Sequence, residues 1–113
     1  FNEPGSSFDS RTRVIKLNEQ TLNDNYEAFY KKAGIPREKM PHYAITMGIG
    51  TILEAKSVLM LANGAKKAEI VAKALEGPVT TMVTASSIQI FKGKATVILD
   101  EEAASMLVKQ TIK

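Results

Sequence analysis

The carboxylate of Glu3, the hydroxyls of Ser6, Ser7, Ser10 and Thr12, and the guanidiniums of Arg11 and Arg13 fall within one short stretch of chain. Proline disfavours the helical region for the residue before it and Pro4-Gly5 favours a turn, so Glu3 is expected at a strand-to-loop transition. In α/β proteins such positions commonly carry functional side chains. Forked guanidiniums among hydroxyls suit a bound phosphate or carboxylate. The competing expectation is a solvated polar loop in which Arg11 and Arg13 pair with Asp9 or Glu19. A second cation-bearing place is the apolar run Ser57–Ala62, the turn at Gly64 and a helix opening near Lys66. Backbone amides at a helix amino end, with a lysine in the first turn, can cradle a phosphate, and Lys67 is the cation this reading selects. On spacing alone, most such lysines are simply solvated.

Other chemistry is excluded by what the chain lacks. With no cysteine there is no disulfide framework, thiol nucleophile or thiolate metal site, which fits a reducing, cytoplasmic setting. His42 is the single imidazole, so a multi-histidine metal centre is excluded. The net charge of +3 arises from lysines dispersed among acids, and aromatic residues make up 6% with no tryptophan. Nucleic-acid binding would need a concentrated basic face with stacking aromatics, so no nucleic-acid partner is expected. No apolar run is long enough to span a membrane, no signal peptide is recognisable, and no membrane association is expected.

The elements that would position these groups follow from apolar periodicity. Residues 13–17 read as a short strand, and residues 18–32 as a helix with Leu22, Tyr26, Phe29 and Tyr30 on its packed side. Gly34 and Pro36 end it. Residues 42–55 keep a helical period through Ile45, Ile49, Ile52 and Leu53, placing His42 at an exposed helix start. Gly48 and Gly50 inside that period suggest close approach to a strand or a ligand. Ser57–Ala62 and Lys94–Leu99 read as strands buried on both faces. Between them lies a helix over residues 66–75 with Ile70, Val71, Ala74 and Leu75 on one side. Residues 83–90 are ambiguous, with Thr84-Ala85-Ser86-Ser87 able to cap a short helix. Asp100-Glu101-Glu102 would open and cap a last helix over residues 103–110, without a catalytic role. Alternation of strands and helices predicts an α/β fold, a partial doubly wound, Rossmann-like parallel sheet with helices on both faces. Three strands with an exposed edge are too few to be self-sufficient, so a further part of the sheet is expected to pair with them.

The string Phe1-Asn2-Glu3-Pro4-Gly5-Ser6-Ser7, followed by Ser10-Arg11-Thr12-Arg13, closely resembles the glucosamine-6-phosphate deaminases. The resemblance continues through Ala44-Ile45-Thr46-Met47-Gly48-Ile49-Gly50-Thr51-Ile52-Leu53, Gly64-Ala65-Lys66-Lys67-Ala68, Glu76-Gly77, Ala85-Ser86-Ser87-Ile88-Gln89 and Asp100-Glu101-Glu102-Ala103-Ala104-Ser105. It implies an enzyme that converts glucosamine 6-phosphate and water to fructose 6-phosphate and ammonia, needing no metal or organic cofactor. Glu3 would orient a histidine during ring opening and so raise its basicity. Lys67 would hold the substrate phosphate. The family's Asp and His of the ring-opening assembly, and its proton-shuttling Asp, precede the segment corresponding to Phe1. The resemblance therefore makes residues 1–113 the carboxyl-terminal half of a single sugar-phosphate deaminase/isomerase domain, with the amino-terminal half as a required partner. The chain by itself is expected to be inactive.

Departures from the family pattern bear on substrate and regulation. Where many members place a phosphate-binding arginine, this chain has Glu27, so Lys31, Lys32 or Lys67 would take over, or the substrate would be galactosamine 6-phosphate. A histidine of the family is replaced by Phe91. Some relatives are hexamers activated by N-acetylglucosamine 6-phosphate, and Ser6, Ser7 and Arg13 match that allosteric, anion-binding set. Ile15 stands where the set has a lysine, Lys16 falls on the opposite strand face, and the carboxyl-terminal tyrosine is not matched. A non-allosteric form is expected, with a homo-oligomer as a further partner class. Other readings on the same scaffold are a non-catalytic sugar-phosphate binding module and an isomerase or phosphogluconolactonase-type relative, which would release no ammonia.

Overall fold

Residues 13–16 alternate large and small exposure, and that alternation is the signature of a strand with one covered face. In the computed structural model, which describes residues 1–108, Arg13–Lys16 forms β1 and Tyr43–Thr46 forms β2, paired antiparallel with Val14 opposite Ile45 and Ile15 opposite Ala44. The chain divides into two units, the first comprising Phe1 with Thr12–Met47, the second Asn2–Arg11 with residues 48 onward.

In the first unit, Glu19–Asn25 forms α1, opened by the Asn18 side chain, whose Oδ1 accepts the Thr21 amide at 2.8 Å. This cap satisfies one of the amides a helix start leaves without an internal partner. Tyr26–Tyr30 continues as a π-helical turn, and the Lys31 amide donates to the Tyr26 carbonyl at 2.9 Å. The core of this unit is Leu17, Leu22 and Met40, with Ile15, Tyr26, Tyr30 and Ala44 packed against it. Tyr26 and Tyr30 are packing residues, as their spacing predicts. Phe29 is not: it is 67% exposed, because each residue of the widened turn rotates less about the axis than in an α-helix.

The helix predicted over residues 42–55 is instead a strand, β2, followed by a short helix α2, Ile49–Leu53. Tyr43, Ile45 and Thr46 are strand formers with a ladder available in β1, and Gly48 and Gly50 weaken a helix running through them. His42 accordingly lies at the entry to β2 rather than at a helix start, half-buried, with its carbonyl accepting the Leu17 amide at 2.8 Å.

In the second unit, Ser57–Ala62 forms β3 and Lys94–Leu99 forms β4, paired parallel with Leu59 opposite Thr96 and Leu61 opposite Ile98. The parallel pair places the chain in the α/β class. The strand at residues 13–16 is not its third member, since its hydrogen bonds go to β2. The faces of β3 and β4 also differ from expectation. Val58, Met60, Val97 and Leu99 are partly covered, while Leu59, Leu61 and Ile98 are more than half exposed. Apolar residues on both faces of a strand do not by themselves provide a layer on each.

A 3₁₀ turn, Ala65–Lys67, leads from β3 into α3, Ala68–Glu76. Its buried stripe is Ala68, Val71 and Ala74, while Ile70, expected on the packed side, is 44% exposed. The carbonyls at the end of α3 are satisfied by the Gln89 side chain, whose Nε2 donates to Ala74 O at 2.7 Å and Gly77 O at 2.9 Å. Residues 84–90 are 3₁₀-helical, which resolves the ambiguous segment. The last predicted helix is a series of turns at residues 101–106; Asp100 does cap it, with Oδ1 accepting the Ala103 amide at 2.8 Å, while residues 109–110 lie outside the described residues. Among the described residues, no helix is long and apolar enough to cross a membrane.

Candidate active site

Pro4 and Gly5 make the turn that their types imply, with Gly5 at φ +91° and the Ser6 amide donating to the Glu3 carbonyl at 3.0 Å. A side chain at Gly5 would be strained by that left-handed backbone. Glu3 is half-buried within it. The turn is tied to a segment far along the chain: the Gly5 amide donates to Thr81 O at 2.8 Å, and the Thr84 hydroxyl donates to Asn2 O at 2.9 Å.

The polar loop that follows lies on α2. A Cβ built on Gly48 would come within 2.0 Å of the Ser10 carbonyl oxygen, and one on Gly50 within 2.8 Å of the Asp9 carbonyl carbon. Those glycines accommodate the chain itself, which replaces the strand or ligand expected from sequence. Ser10 Oγ accepts the Ile49 amide at 2.9 Å and so caps α2 from 39 residues away. At the other end of α2, Arg11 forks onto Glu54, with Nη1 to Oε1 at 2.6 Å and Nη2 to Oε2 at 3.1 Å. The hydrogen bond from Arg11, then its charge, hold the Glu54 carboxyl below its usual range, and Glu54 in turn raises Arg11. The predicted pairing of Arg11 with Asp9 or Glu19 is thus corrected: Glu19 accepts from Arg37 at 3.0 Å, and Arg37 also bonds Asn23. Glu54 offers two parallel acceptors, a better match to a guanidinium fork.

Lys67 is exposed in the 3₁₀ turn ahead of α3, the position expected for it. The adjoining amide of Gly64 is already bonded, to both Asp100 oxygens at 3.1 and 3.0 Å. Asp100 therefore clasps the end of β3 besides capping the turn after β4, and its charge leaves that amide no share in an anion cradle. Ser6 and Ser7 belong to the second unit, where Ser7 Oγ accepts the Asp9 amide at 3.1 Å, whereas Arg13 belongs to β1 of the first. Arg13 shares the less exposed face of β1 with Ile15, and Lys16 points the other way, as strand alternation requires. Lys31 pairs with Glu27 one helical turn earlier, at 3.3 Å.

A cavity of about 360 Å³ opens among α2, β3 and the 84–90 segment, lined largely by apolar side chains such as Ile52, Met60 and Phe91. Neither Glu3 nor Lys67 lines it, but Asn2 and Thr84 do. Its largely apolar lining suits packing. Sequence reasoning missed Thr81 and Glu54 altogether, and for Ser10, Thr84 and Asp100 it missed the remote partners Ile49, Asn2 and Gly64. The two glycines of α2 carried a signal of close approach, but nothing local indicates which segment approaches.

The family of glucosamine-6-phosphate isomerases and 6-phosphogluconolactonases matches residues 18–97. Glucosamine-6-phosphate deaminase from Pseudarthrobacter chlorophenolicus is 50% identical over 107 residues, covering 95% of this chain and 39% of its own. The deaminase from Marinomonas sp. is likewise 50% identical, covering 95% of this chain and 38% of its own. The chain thus spans about two fifths of the length of these curated relatives. Among solved structures, a monomeric glucosamine-6-phosphate deaminase superposes with a TM-score of 0.82 at 45% identity, over 94% of this chain and 42% of its own. A 6-phosphogluconolactonase from Trypanosoma brucei, at 22% identity and a TM-score of 0.65 over 93% of this chain and 36% of its own, shares the fold. With residues 18–97 matched, most of its length, the chain belongs to the family of glucosamine-6-phosphate isomerases and 6-phosphogluconolactonases.

Proposed function

We propose that this chain is the carboxyl-terminal half of a deaminase domain that converts glucosamine 6-phosphate and water to fructose 6-phosphate and ammonia. The observation that carries the reading is 50% identity over 95% of the chain to proteins named for that activity. Glu3 serves ring opening: its carboxylate orients an imidazole supplied by the amino-terminal half, setting the tautomer and raising basicity. The exposed ammonium of Lys67 binds the substrate phosphate. Moving a proton from the second sugar carbon to the first converts the 2-amino aldose to a 2-imine, and water hydrolyses that imine to the ketose, releasing ammonia. That proton transfer needs a carboxylate of the amino-terminal half, so the 113-residue chain alone is inactive in this reading. The working enzyme is cytoplasmic and non-allosteric, because Ile15 takes the place of a lysine in the anion-binding set to which Ser6, Ser7 and Arg13 belong.

One observation favours a second substrate. Glu27 stands in the place of a phosphate-binding arginine, and Lys31, a candidate replacement, is paired with it at 3.3 Å. A changed phosphate anchor can seat the sugar differently, which admits galactosamine 6-phosphate.

The test is formation of ammonia and fructose 6-phosphate from glucosamine 6-phosphate by the chain alone and after mixing with the amino-terminal half, with galactosamine 6-phosphate in parallel. Activity only in the mixture supports the shared site. Turnover by the chain alone contradicts the placement of the essential acids, and binding without turnover in the mixture favours a non-catalytic module.

A further inference from the structure

The Glu3 turn is held from both sides by one remote segment. On its amino-terminal side the Thr84 hydroxyl donates to the Asn2 carbonyl at 2.9 Å, and on its carboxyl-terminal side the Gly5 amide donates to the Thr81 carbonyl at 2.8 Å. Two tethers flanking a residue fix the direction of its Cα–Cβ bond in a way that one could not. The segment that supplies them is itself rigidly built. The hydroxyl of Ser86, fully buried, accepts the Thr80 amide at 2.9 Å and donates to the Thr80 carbonyl at 3.0 Å, engaging both backbone groups of one residue. The Val83 amide closes back onto Thr80 O at 3.1 Å, and the Ser86 amide onto Val83 O at 2.9 Å. Gln89 then bonds this stretch to the end of α3. Thus hydrogen bonds link the packed helix α3 through residues 80–89 to the Asn2 carbonyl just before Glu3 and to the Gly5 amide two residues after it.

From this arrangement we infer that Thr84 is a positioning residue for Glu3, acting through its hydroxyl on the Asn2 carbonyl. The inference rests on the role given to Glu3 above. A carboxylate that orients another group must hold its own direction, and displacement of a catalytic group by about 1 Å can cost 100-fold in rate. Thr84 is the one tether of the pair made by a side chain, so it can be removed without altering the backbone that makes the other. Valine has nearly the shape of threonine without the hydroxyl, and serine keeps the hydroxyl without the methyl.

The experiment compares Thr84→Val, Thr84→Ser and Glu3→Gln in the chain assembled with its amino-terminal half, measuring kcat and KM separately. It is paired with amide hydrogen exchange on the 113-residue chain. Thr84→Val is expected to lower kcat about tenfold or more while KM stays within about twofold, because ring opening is misdirected and phosphate binding at Lys67 is untouched. Thr84→Ser is expected to restore most of the rate. Exchange of the Gly5 amide should quicken about tenfold in Thr84→Val, with β3 and β4 amides unchanged; loss of protection throughout would mean a structural role alone and overturn the inference. Wild-type kcat in Thr84→Val beside an inactive Glu3→Gln would overturn it while leaving the functional reading intact. An active Glu3→Gln would overturn the functional reading and with it the positioning role, and exchange at Gly5 would still decide whether Thr84 holds the turn.

Discussion

Arg11 and Glu54 make a bidentate exposed pairing in the second unit, a planar fork meeting two carboxylate oxygens at 2.6 and 3.1 Å. Its contribution depends on pH in a definite direction. Glu54 is depressed below its unfolded value by the hydrogen bond and charge of Arg11, so the stabilisation is present above the ordinary glutamate range, about pH 4.3, and is lost as pH falls through the lower folded value. Glu54→Gln is therefore expected to leave little change in strong acid but lower stability at neutral pH, flattening the acid limb of the stability curve. Urea unfolding across the acid range checks this. An unchanged acid limb in the variant would contradict the pairing. Gly48 sets the other end of this contact: Gly48→Ala puts a methyl 2.0 Å from Ser10 O, and a loss of about 1–3 kcal/mol in denaturant unfolding is expected from such overpacking.

At the scale of elements, the segment over residues 80–89 does more than connect α3 to β4. The Ser86 hydroxyl engages both the amide and the carbonyl of Thr80, so Ser86→Ala removes two bonds at a fully buried site and is expected to cost about 1–3 kcal/mol. Denaturant titration measures the loss; a change under about 0.5 kcal/mol, ordinary for a surface position, would contradict the bracket. Several elements were legible in sequence because their information is local. Alternating and apolar runs locate β1, β3 and β4, and the acid-rich opening at Asp100 predicts the cap that Asp100 makes. The helix that spacing predicts over residues 42–55 gives way at its start to a strand, because Ile45, one of the apolar residues at helical spacing, is equally acceptable on a strand once β1 supplies partners. At the candidate site, Glu3 and Lys67 could be singled out by motif. Thr84, 81 residues beyond Glu3, and Ser10, 39 residues before the amide it caps, could not, since tertiary hydrogen bonds leave no mark in local spacing.

For the whole molecule, each unit presents an apolar sheet face that its own described residues do not cover. In the first, Val14 and Ile45 are paired across the strands and 66% and 76% exposed; in the second, Leu61 and Ile98 are paired and 66% and 56% exposed. Exposed apolar patches commonly mark surfaces for association. If the amino-terminal half covers the second of these faces, Leu61→Asp changes the stability of the chain alone by no more than about 0.5 kcal/mol yet abolishes assembly, because a carboxylate would be buried without a partner. Sedimentation of the mixed halves reads this directly, and assembly unaffected by Leu61→Asp would exclude that face as the contact. In the proposed assembly Glu3 orients the imidazole that opens the sugar ring. Ammonia release from glucosamine 6-phosphate by the assembled protein, wild type against Glu3→Gln, is the most direct measurement: a loss of at least about 100-fold in kcat with unchanged assembly is expected. Equal rates in the two proteins would contradict the assignment of Glu3 and the active site built around it.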